Sequence, residues 1–176
     1  SKFGFTVSSG VALAAAQRVI ASTTLEFAGL HCHIGSQIWV LESYARAVEV
    51  VLDLVAAITA TTGAVVEETV MGGGLGVRYL AEDPPTDIAA YALTLRDAIT
   101  TGSQSRGLLA PRVMVEPGRS IVAAAGATLY RVGTVKEIPG VATYVSVDGG
   151  RHRQRDAPAT PRRQLASSLA ANVFSM

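Results

Sequence analysis

The sequence predicts an α/β fold of parallel βαβ units followed by the start of an all-β domain. From residue 9 to residue 122, helical and strand patterns alternate in the order α, β, α, β, α, β, which is typical of a parallel sheet covered by helices. After residue 122, two strand patterns follow each other with no helical pattern between them. We therefore divide the chain into an α/β part (1–122), the beginning of a β domain (123–150) and a basic tail (151–176).

Three segments have the periodicity of helices. Residues 9–21 are rich in alanine and have serine ahead of the alanine run, which predicts a helix with a serine N-cap. Residues 41–63 place apolar side chains at helical spacing and end at Gly63, a residue type that commonly ends helices. Residues 87–100 form another amphipathic pattern after the turn-forming DPPTD segment. The predicted core face of the 41–63 helix comprises Tyr44, Ala47, Val48, Val51, Leu54, Val55 and Ile58.

Strand patterns lie between and after these helices. The α/β part contains three of them, and a polar or glycine-rich motif follows each at 31–37, 72–76 and 116–119. Because function gathers at the carboxyl ends of parallel strands, we expect the three motifs to share one rim of a barrel or sheet. The predicted strands are 25–34, 65–76 and 111–122, then 126–138 and 142–150.

Composition excludes several classes of function. The chain has 176 residues, of which 49% are hydrophobic and 16% charged, so it is globular and long enough for a sizeable core. Its net charge of +1 gives no electrostatic reason to expect a nucleic-acid or membrane partner. Cys32 is the only cysteine, which excludes an intrachain disulfide and favours a reducing, cytoplasmic setting.

The segment GLHCHIGSQ (29–37) carries two histidines at the end of an apolar run. We expect His31 and His33 to lie on opposite faces of their strand, and no second pair of ligands is evident, so we expect no metal site. His31 is predicted to be a core histidine satisfied by hydrogen bonds. His33 precedes an Ile-Gly-Ser turn, where a flat imidazole suits stacking on an aromatic ring.

Two further motifs have both a structural and a functional interpretation. GGGLG (72–76) is either a tight turn without a ligand or a loop whose backbone N–H groups approach a phosphate. EPGRS (116–120) is either a surface turn with an ion pair or a site in which Glu116 faces a cationic atom and Arg119 holds an anion. Taken with the stacking histidine, the functional interpretations describe a pocket for pyridoxal 5'-phosphate.

The motifs SKFG (1–4), GLHCHIGSQ, GGGLG, EPGRSIV (116–122) and YVSVDGG (144–150), in this order, resemble those of the diaminopimelate decarboxylase family. The resemblance covers residues 1–150. It implies the last part of an alanine-racemase-like (β/α)8 barrel, the start of a C-terminal β domain and pyridoxal 5'-phosphate as cofactor. It also implies decarboxylation of meso-2,6-diaminopimelate to L-lysine and CO2, within a cytoplasmic homodimer of the complete enzyme.

The resemblance assigns a role to each position of the motifs. His33 corresponds to the histidine stacked on the cofactor ring, Glu116 to the acid facing the pyridine nitrogen and Arg119 to the arginine that engages substrate. Gln37, Leu75 and Ser120 match the diaminopimelate branch, whereas relatives acting on ornithine typically carry HVGSG, GGGFPG and EPGRY. The implied cofactor-binding positions are His33, Ser36, Gly72, Gly73, Gly74, Glu116 and Gly118.

Two features depart from the family pattern. The only lysines are Lys2 and Lys136, neither of which matches the Schiff-base lysine that the family places upstream of residue 1. We therefore expect a fragment that is inactive alone; a related decarboxylase or racemase acting on another diamino acid is the alternative. The second departure is the tail at 151–176, which contains five arginines and none of the family's substrate residues. Our hypothesis is that a shifted reading frame, real or from sequencing, created the tail; the alternatives are a basic disordered terminus and, with no support elsewhere on the chain, a nucleic-acid-binding arm.

Overall fold

The computed structural model describes residues 4–148, and its elements alternate as the sequence predicts. The alternation gives three βα repeats after a first helix, which confirms the predicted order. The α/β part consists of α1 (Val11–Ile20), β1 (Gly29–His31), α2 (Glu42–Thr62), β2 (Glu68–Val70), α3 (Ile88–Ser105), β3 (Arg112–Met114) and α4 (Gly118–Val122), followed by a 3₁₀ turn (Ala123–Ala125). Two further strands are β4 (Val132–Ile138) and β5 (Ala142–Val147).

The first three strands form a parallel sheet in the order β1-β2-β3. Leu30, Thr69 and Val113 lie in one row of this sheet, and Thr69 is fully buried. The next row brings together His31, Val70 and Met114 on the opposite face, where His31 and Met114 are exposed. The helices therefore cover one face of the sheet, and the other face is open.

The core lies between the sheet and the central helix α2. The predicted core face of α2 is confirmed, with Tyr44, Val48 and Ile58 fully buried, although Ala47 is only partly so. Leu52 was not predicted to be buried, yet it is inaccessible to solvent. It lies against α3, where its side chain approaches Gly102. Because α2 packs against α1 on one side and α3 on the other, it buries a wider face than its main apolar stripe.

Helix ends agree with the sequence at some positions and differ at others. Gly63 ends α2 with φ 74° and donates its N–H to the Thr59 carbonyl, as predicted. The serine N-cap of α1 is wrong: Gly10 is the cap at φ 76°, and the Ser9 hydroxyl instead donates to the Thr6 carbonyl. Asp87 caps α3 by accepting from the Ala90 N–H, and this helix continues to Ser105.

The strands of the sheet are three residues each, shorter than predicted. The strand predicted within 111–122 was expected to end at Glu-Pro-Gly. It ends earlier, at Met114, and the chain then turns at Pro117 and forms the short helix α4, which was not predicted. The predicted β domain begins as an antiparallel hairpin of β4 and β5, joined by a turn with Gly140 at φ 73°. The end of the last predicted strand and the tail at 151–176 lie outside the described residues. Within residues 4–148, no helix is long and apolar enough to cross a membrane.

Candidate active site

Three loops follow β1, β2 and β3 and meet at the carboxyl edge of the sheet. The backbone N–H of Glu116 donates to the Gly72 carbonyl at 2.8 Å. The N–H of Gly73 donates to Nδ1 of His33 at 3.4 Å. These two bonds connect the second loop to each of the others, so the motifs predicted to share a rim do lie together.

His31 lies in this group, contrary to the prediction that it packs in the core. Its Nε2 is 3.2 Å from Oε2 of Glu116, and the two side chains are 52% and 55% exposed. The expectation that His31 and His33 lie on opposite faces is wrong, because side chains two positions apart along a strand direction point to the same face. Among residues 4–148, no group of three His, Cys, Asp or Glu side chains could hold a metal ion.

His33 is exposed at the end of the same strand. Its Nδ1 accepts the Gly73 N–H, so in the neutral imidazole the proton is on Nε2. The bond sets the orientation of the ring and leaves its exposed surface available for contact with a flat ligand. Cys32, between the two histidines, is directed to the other face, where burial raises the pKa of its thiol and Met71 lies 3.9 Å from its sulfur.

The glycine loop is packed so tightly against its neighbours that side chains are excluded. A Cβ atom at Gly73 would lie 2.1 Å from the Glu116 carbonyl oxygen, and one at Gly74 would lie 2.1 Å from the Gly35 carbonyl oxygen. Gly74 also has φ 89°, a conformation that side chains disfavour. The same contact places Ser36 beside Gly74, since the added Cβ would be 3.4 Å from the Ser36 Cα.

The side chain of Tyr44 supports the glycine loop through a hydrogen bond. Its position on the apolar face of α2 predicted that it is buried, but not that it makes this bond. Its hydroxyl donates to the Gly73 carbonyl at 3.1 Å, and the side chain is fully buried. Burial, with a smaller contribution from Tyr91, raises the pKa of Tyr44 to about 12. The hydroxyl therefore remains protonated and able to donate at any physiological pH.

The third loop carries the acid and the arginine of EPGRS. Glu116 is exposed directly after β3, and Arg119 is half-buried within α4. Between them lies Gly118, whose N–H donates to the Glu116 carbonyl at 2.9 Å. A Cβ atom at Gly118 would meet no atom within 4 Å. The glycine at this position is therefore not required by packing within the chain, and open space adjoins it.

Comparisons with known proteins identify the class. Residues 1–123 match the family described as "Pyridoxal-dependent decarboxylase, pyridoxal binding domain". The chain therefore belongs to the pyridoxal-dependent decarboxylases, whose cofactor is pyridoxal 5'-phosphate.

Among these enzymes the chain is similar to diaminopimelate decarboxylases. It is 43% identical to that of Mycobacterium bovis over 157 residues, covering 85% of this chain and 35% of the relative. Identity to that of Halalkalibacterium halodurans is 37% over 173 residues, covering 98% of this chain and 39% of the relative. The chain thus spans little more than a third of the length of these relatives.

A solved structure extends the similarity to the fold. Diaminopimelate decarboxylase from M. jannaschii in co-complex with L-lysine superposes with a TM-score of 0.68 at 31% identity, over 85% of this chain and 34% of that one. The chain is accordingly part of an alanine-racemase-like (β/α)8 barrel, followed by the start of the C-terminal β domain. This explains the open face of the sheet, because that face is the interior of the barrel.

The residues at the rim fit pyridoxal 5'-phosphate. A flat heteroaromatic ring requires an open face and a partner for its ring nitrogen, and the exposed His33 and Glu116 offer both. A phosphate requires hydroxyl and backbone N–H donors at close range, which Ser36 and the side-chain-free loop at 72–74 offer. The space beside Gly118 leaves room for such a group.

Proposed function

We propose that this chain is part of a diaminopimelate decarboxylase, which converts meso-2,6-diaminopimelate to L-lysine and CO2. The observation that carries the proposal is the junction of the three motifs, where Gly73 bonds to His33 and Glu116 bonds to Gly72. This junction places a carboxylate, an imidazole and a glycine loop around one open space. Relatives that are 39% and 43% identical to this chain are named diaminopimelate decarboxylases.

The proposed roles follow from the chemistry of each group. Glu116 holds a proton at the pyridine nitrogen, and His33 lies against the ring. Ser36, the glycines at 72–74 and Gly118 hold the phosphate and its surroundings. When bound, the cofactor supplies an electron sink for the pair left behind as the carboxylate leaves. A carboxylate beside the ring nitrogen maintains the positive charge that makes this sink effective.

We assign the substrate to Arg119. A guanidinium binds carboxylates in a bidentate manner, and both ends of diaminopimelate carry one. Because the relatives acting on ornithine share this arginine in EPGRY, Arg119 does not by itself separate the two substrates. The M. jannaschii relative was solved with L-lysine, the product of the proposed reaction. A lysine/ornithine decarboxylase that matches at 21% identity supports the fold alone.

Further proposals concern the complete protein. We propose a homodimer in the cytoplasm, with residues 1–122 in the barrel and 123–150 in the β domain. The end of the family match at residue 123 supports this boundary. We also propose that a shifted reading frame produced residues 151–176. Sequencing the locus tests this, and the proposal fails if neither alternative frame after codon 150 encodes the family's continuation.

The test of function is an assay of the complete enzyme that contains this chain. With pyridoxal 5'-phosphate and meso-diaminopimelate, we expect equimolar L-lysine and CO2. Turnover of ornithine should be at least about a hundredfold lower, since ornithine leaves the groups that bind the second carboxylate of diaminopimelate unpaired. Glu116→Gln should abolish turnover while leaving the fold intact. Equal turnover of ornithine, or none of diaminopimelate by a loaded enzyme, would refute the proposal.

A further inference from the structure

Gln37 has a backbone conformation that few residues of its type adopt. Its φ is 55°, and among residues 4–148 it is the only non-glycine residue with positive φ. Residues other than glycine, asparagine and aspartate are disfavoured in the left-handed region of backbone conformation. Such a conformation persists only when surrounding contacts enforce it, and it is commonest at functional sites.

The contacts that enforce it come from the side chain of Gln37 itself. Its Nε2 donates to the Val77 carbonyl at 3.0 Å, while its Oε1 accepts the Val77 N–H at 3.0 Å. One carboxamide therefore satisfies both backbone groups of Val77, which is buried. The amide can do this because it carries one donor and one acceptor on the same planar group, whereas an ionised carboxylate offers acceptors only.

The neighbouring backbone continues the same pairing. The Ile38 N–H donates to the Gly74 carbonyl, and the Gly76 N–H donates to the Ile38 carbonyl, both at 2.9 Å. Four hydrogen bonds thus join residues 37–38 to residues 74–77. We call this pairing the loop latch.

The loop latch lies beside the groups proposed to hold phosphate. Ser36 immediately precedes Gln37, and the glycine loop at 72–74 leads directly into the latched segment. The two backbones already approach closely, since a Cβ on Gly74 would overlap the Gly35 carbonyl oxygen. Any slip of one loop relative to the other would change the separation between the Ser36 hydroxyl and the N–H groups of the glycine loop.

We propose that Gln37 is a positioning residue that sets the spacing of the phosphate-binding loops through the loop latch. The inference rests on the proposed function, because it assumes that Ser36 and residues 72–74 hold the cofactor phosphate. Glutamine at this position separates the branch of the family with GSQ from the branch with GSG. The proposal gives this glutamine a role in holding a loop, rather than in contacting substrate.

The experiment compares Gln37→Glu with the matched change Gln17→Glu. The first keeps the size of the side chain but replaces the amide donor with an acceptor, which then faces the Val77 carbonyl. The second makes the same substitution at a remote glutamine, whose Nε2 bonds to the Thr61 hydroxyl 3.1 Å away. Each protein is titrated with pyridoxal 5'-phosphate and with pyridoxal, which lacks the phosphate, and amide hydrogen exchange is followed at 74–77.

We expect Gln37→Glu to weaken binding of pyridoxal 5'-phosphate about tenfold, the lower end of losses seen when supporting residues are removed. Pyridoxal binding should be unchanged, and exchange at 74–77 should accelerate without ligand. Gln17→Glu should match the wild type in all three measurements. Gln37→Gly is the second variant. It removes the side chain of the loop latch and relieves the conformational strain, and it should show the same selective loss.

Three results would overturn the inference. Unchanged affinity for pyridoxal 5'-phosphate in both Gln37 variants would do so alone, and an equal loss for pyridoxal would show that the effect does not pass through the phosphate. A wild-type protein that binds the two compounds equally would overturn the proposed function, and the inference with it. The titration of the wild type therefore distinguishes a failure of the inference about Gln37 from a failure of the proposed function.

Discussion

His31 and Glu116 meet across the rim, Nε2 to Oε2 at 3.2 Å, although His31 ends β1 and Glu116 follows β3, and these two strands are not neighbours in the sheet. The contact spans the end of β2 and occupies one oxygen of the carboxylate. The second oxygen is left for another partner, which in the proposed function is the pyridine nitrogen. A carboxylate fixed in this way loses rotational freedom before the ligand arrives.

The first prediction is that His31→Ala weakens cofactor binding without unfolding the protein. Both side chains are about half-exposed, so the pair contributes less than about 1 kcal/mol, and affinity should fall no more than about fivefold. His31→Gln should restore affinity, since its amide can donate to the same oxygen. An absorbance titration measures both; equal losses in the alanine and glutamine variants would contradict the role of the hydrogen bond.

The second prediction concerns the buried hydroxyl of Tyr44. Tyr44→Phe removes the donor to the Gly73 carbonyl and should lower the free energy of unfolding by about 1–3 kcal/mol, the cost of an unsatisfied buried acceptor. Urea denaturation measures the loss. The matched control is Tyr91→Phe, because Tyr91 lies against Tyr44 but its buried hydroxyl has no partner among the described residues.

Tyr91→Phe should therefore leave stability unchanged or raise it slightly. A larger loss in the Tyr91 variant than in the Tyr44 variant would contradict the prediction, because it would show that the Tyr91 hydroxyl contributes more to stability than the bond from Tyr44 to Gly73.

The third prediction is a dependence of stability on alkaline pH. Burial raises the pKa of Tyr44 to about 12, from 10.0 in the unfolded chain. Because the unfolded state loses this proton first, the stabilising contribution is complete below pH 10 and is lost as pH rises to about 12. The free energy of unfolding should fall across this window, and the part due to Tyr44 should be missing in Tyr44→Phe. Identical slopes in the two proteins would contradict the assignment.

Some features of the fold could be read from local patterns, and others depend on contacts between distant residues. The apolar stripe of α2 and the stop at Gly63 follow from helical period and backbone freedom, both local properties. The order of elements and the shared rim follow from the alternation of helix and strand. Ser9 shows the limit of local inference, since a serine ahead of a helix can bond to a preceding carbonyl instead of capping.

The features of the site also divide into those that local motifs predict and those that depend on contacts between distant residues. His33, Glu116 and the glycine loop were predicted from their motifs, and the structure brings them together. The contact of His31 with a residue 85 positions away could not be predicted without knowing which loops meet. Tyr44 was predicted as a core residue, and nothing in helical spacing distinguishes a tyrosine that only packs from one that also supports a loop. For Gln37 the signal was available, because a glutamine stands where relatives acting on ornithine typically carry a glycine.

The last prediction compares two glycines of the site. Gly73→Ala should destabilise the protein by about 1–3 kcal/mol or more, because its Cβ would lie 2.1 Å from a backbone oxygen of Glu116 and the two loops would have to separate. Gly118→Ala is the matched substitution, since its Cβ would meet no atom within 4 Å. Its stability should be unchanged or slightly higher, as an alanine favours the helix that begins there.

Cofactor affinity should nevertheless fall in Gly118→Ala, because the methyl group fills the space proposed for the ligand. Thermal unfolding and a pyridoxal 5'-phosphate titration on both variants give the four values needed. A Gly118→Ala protein with unchanged stability and unchanged affinity would show that this space is not part of the site.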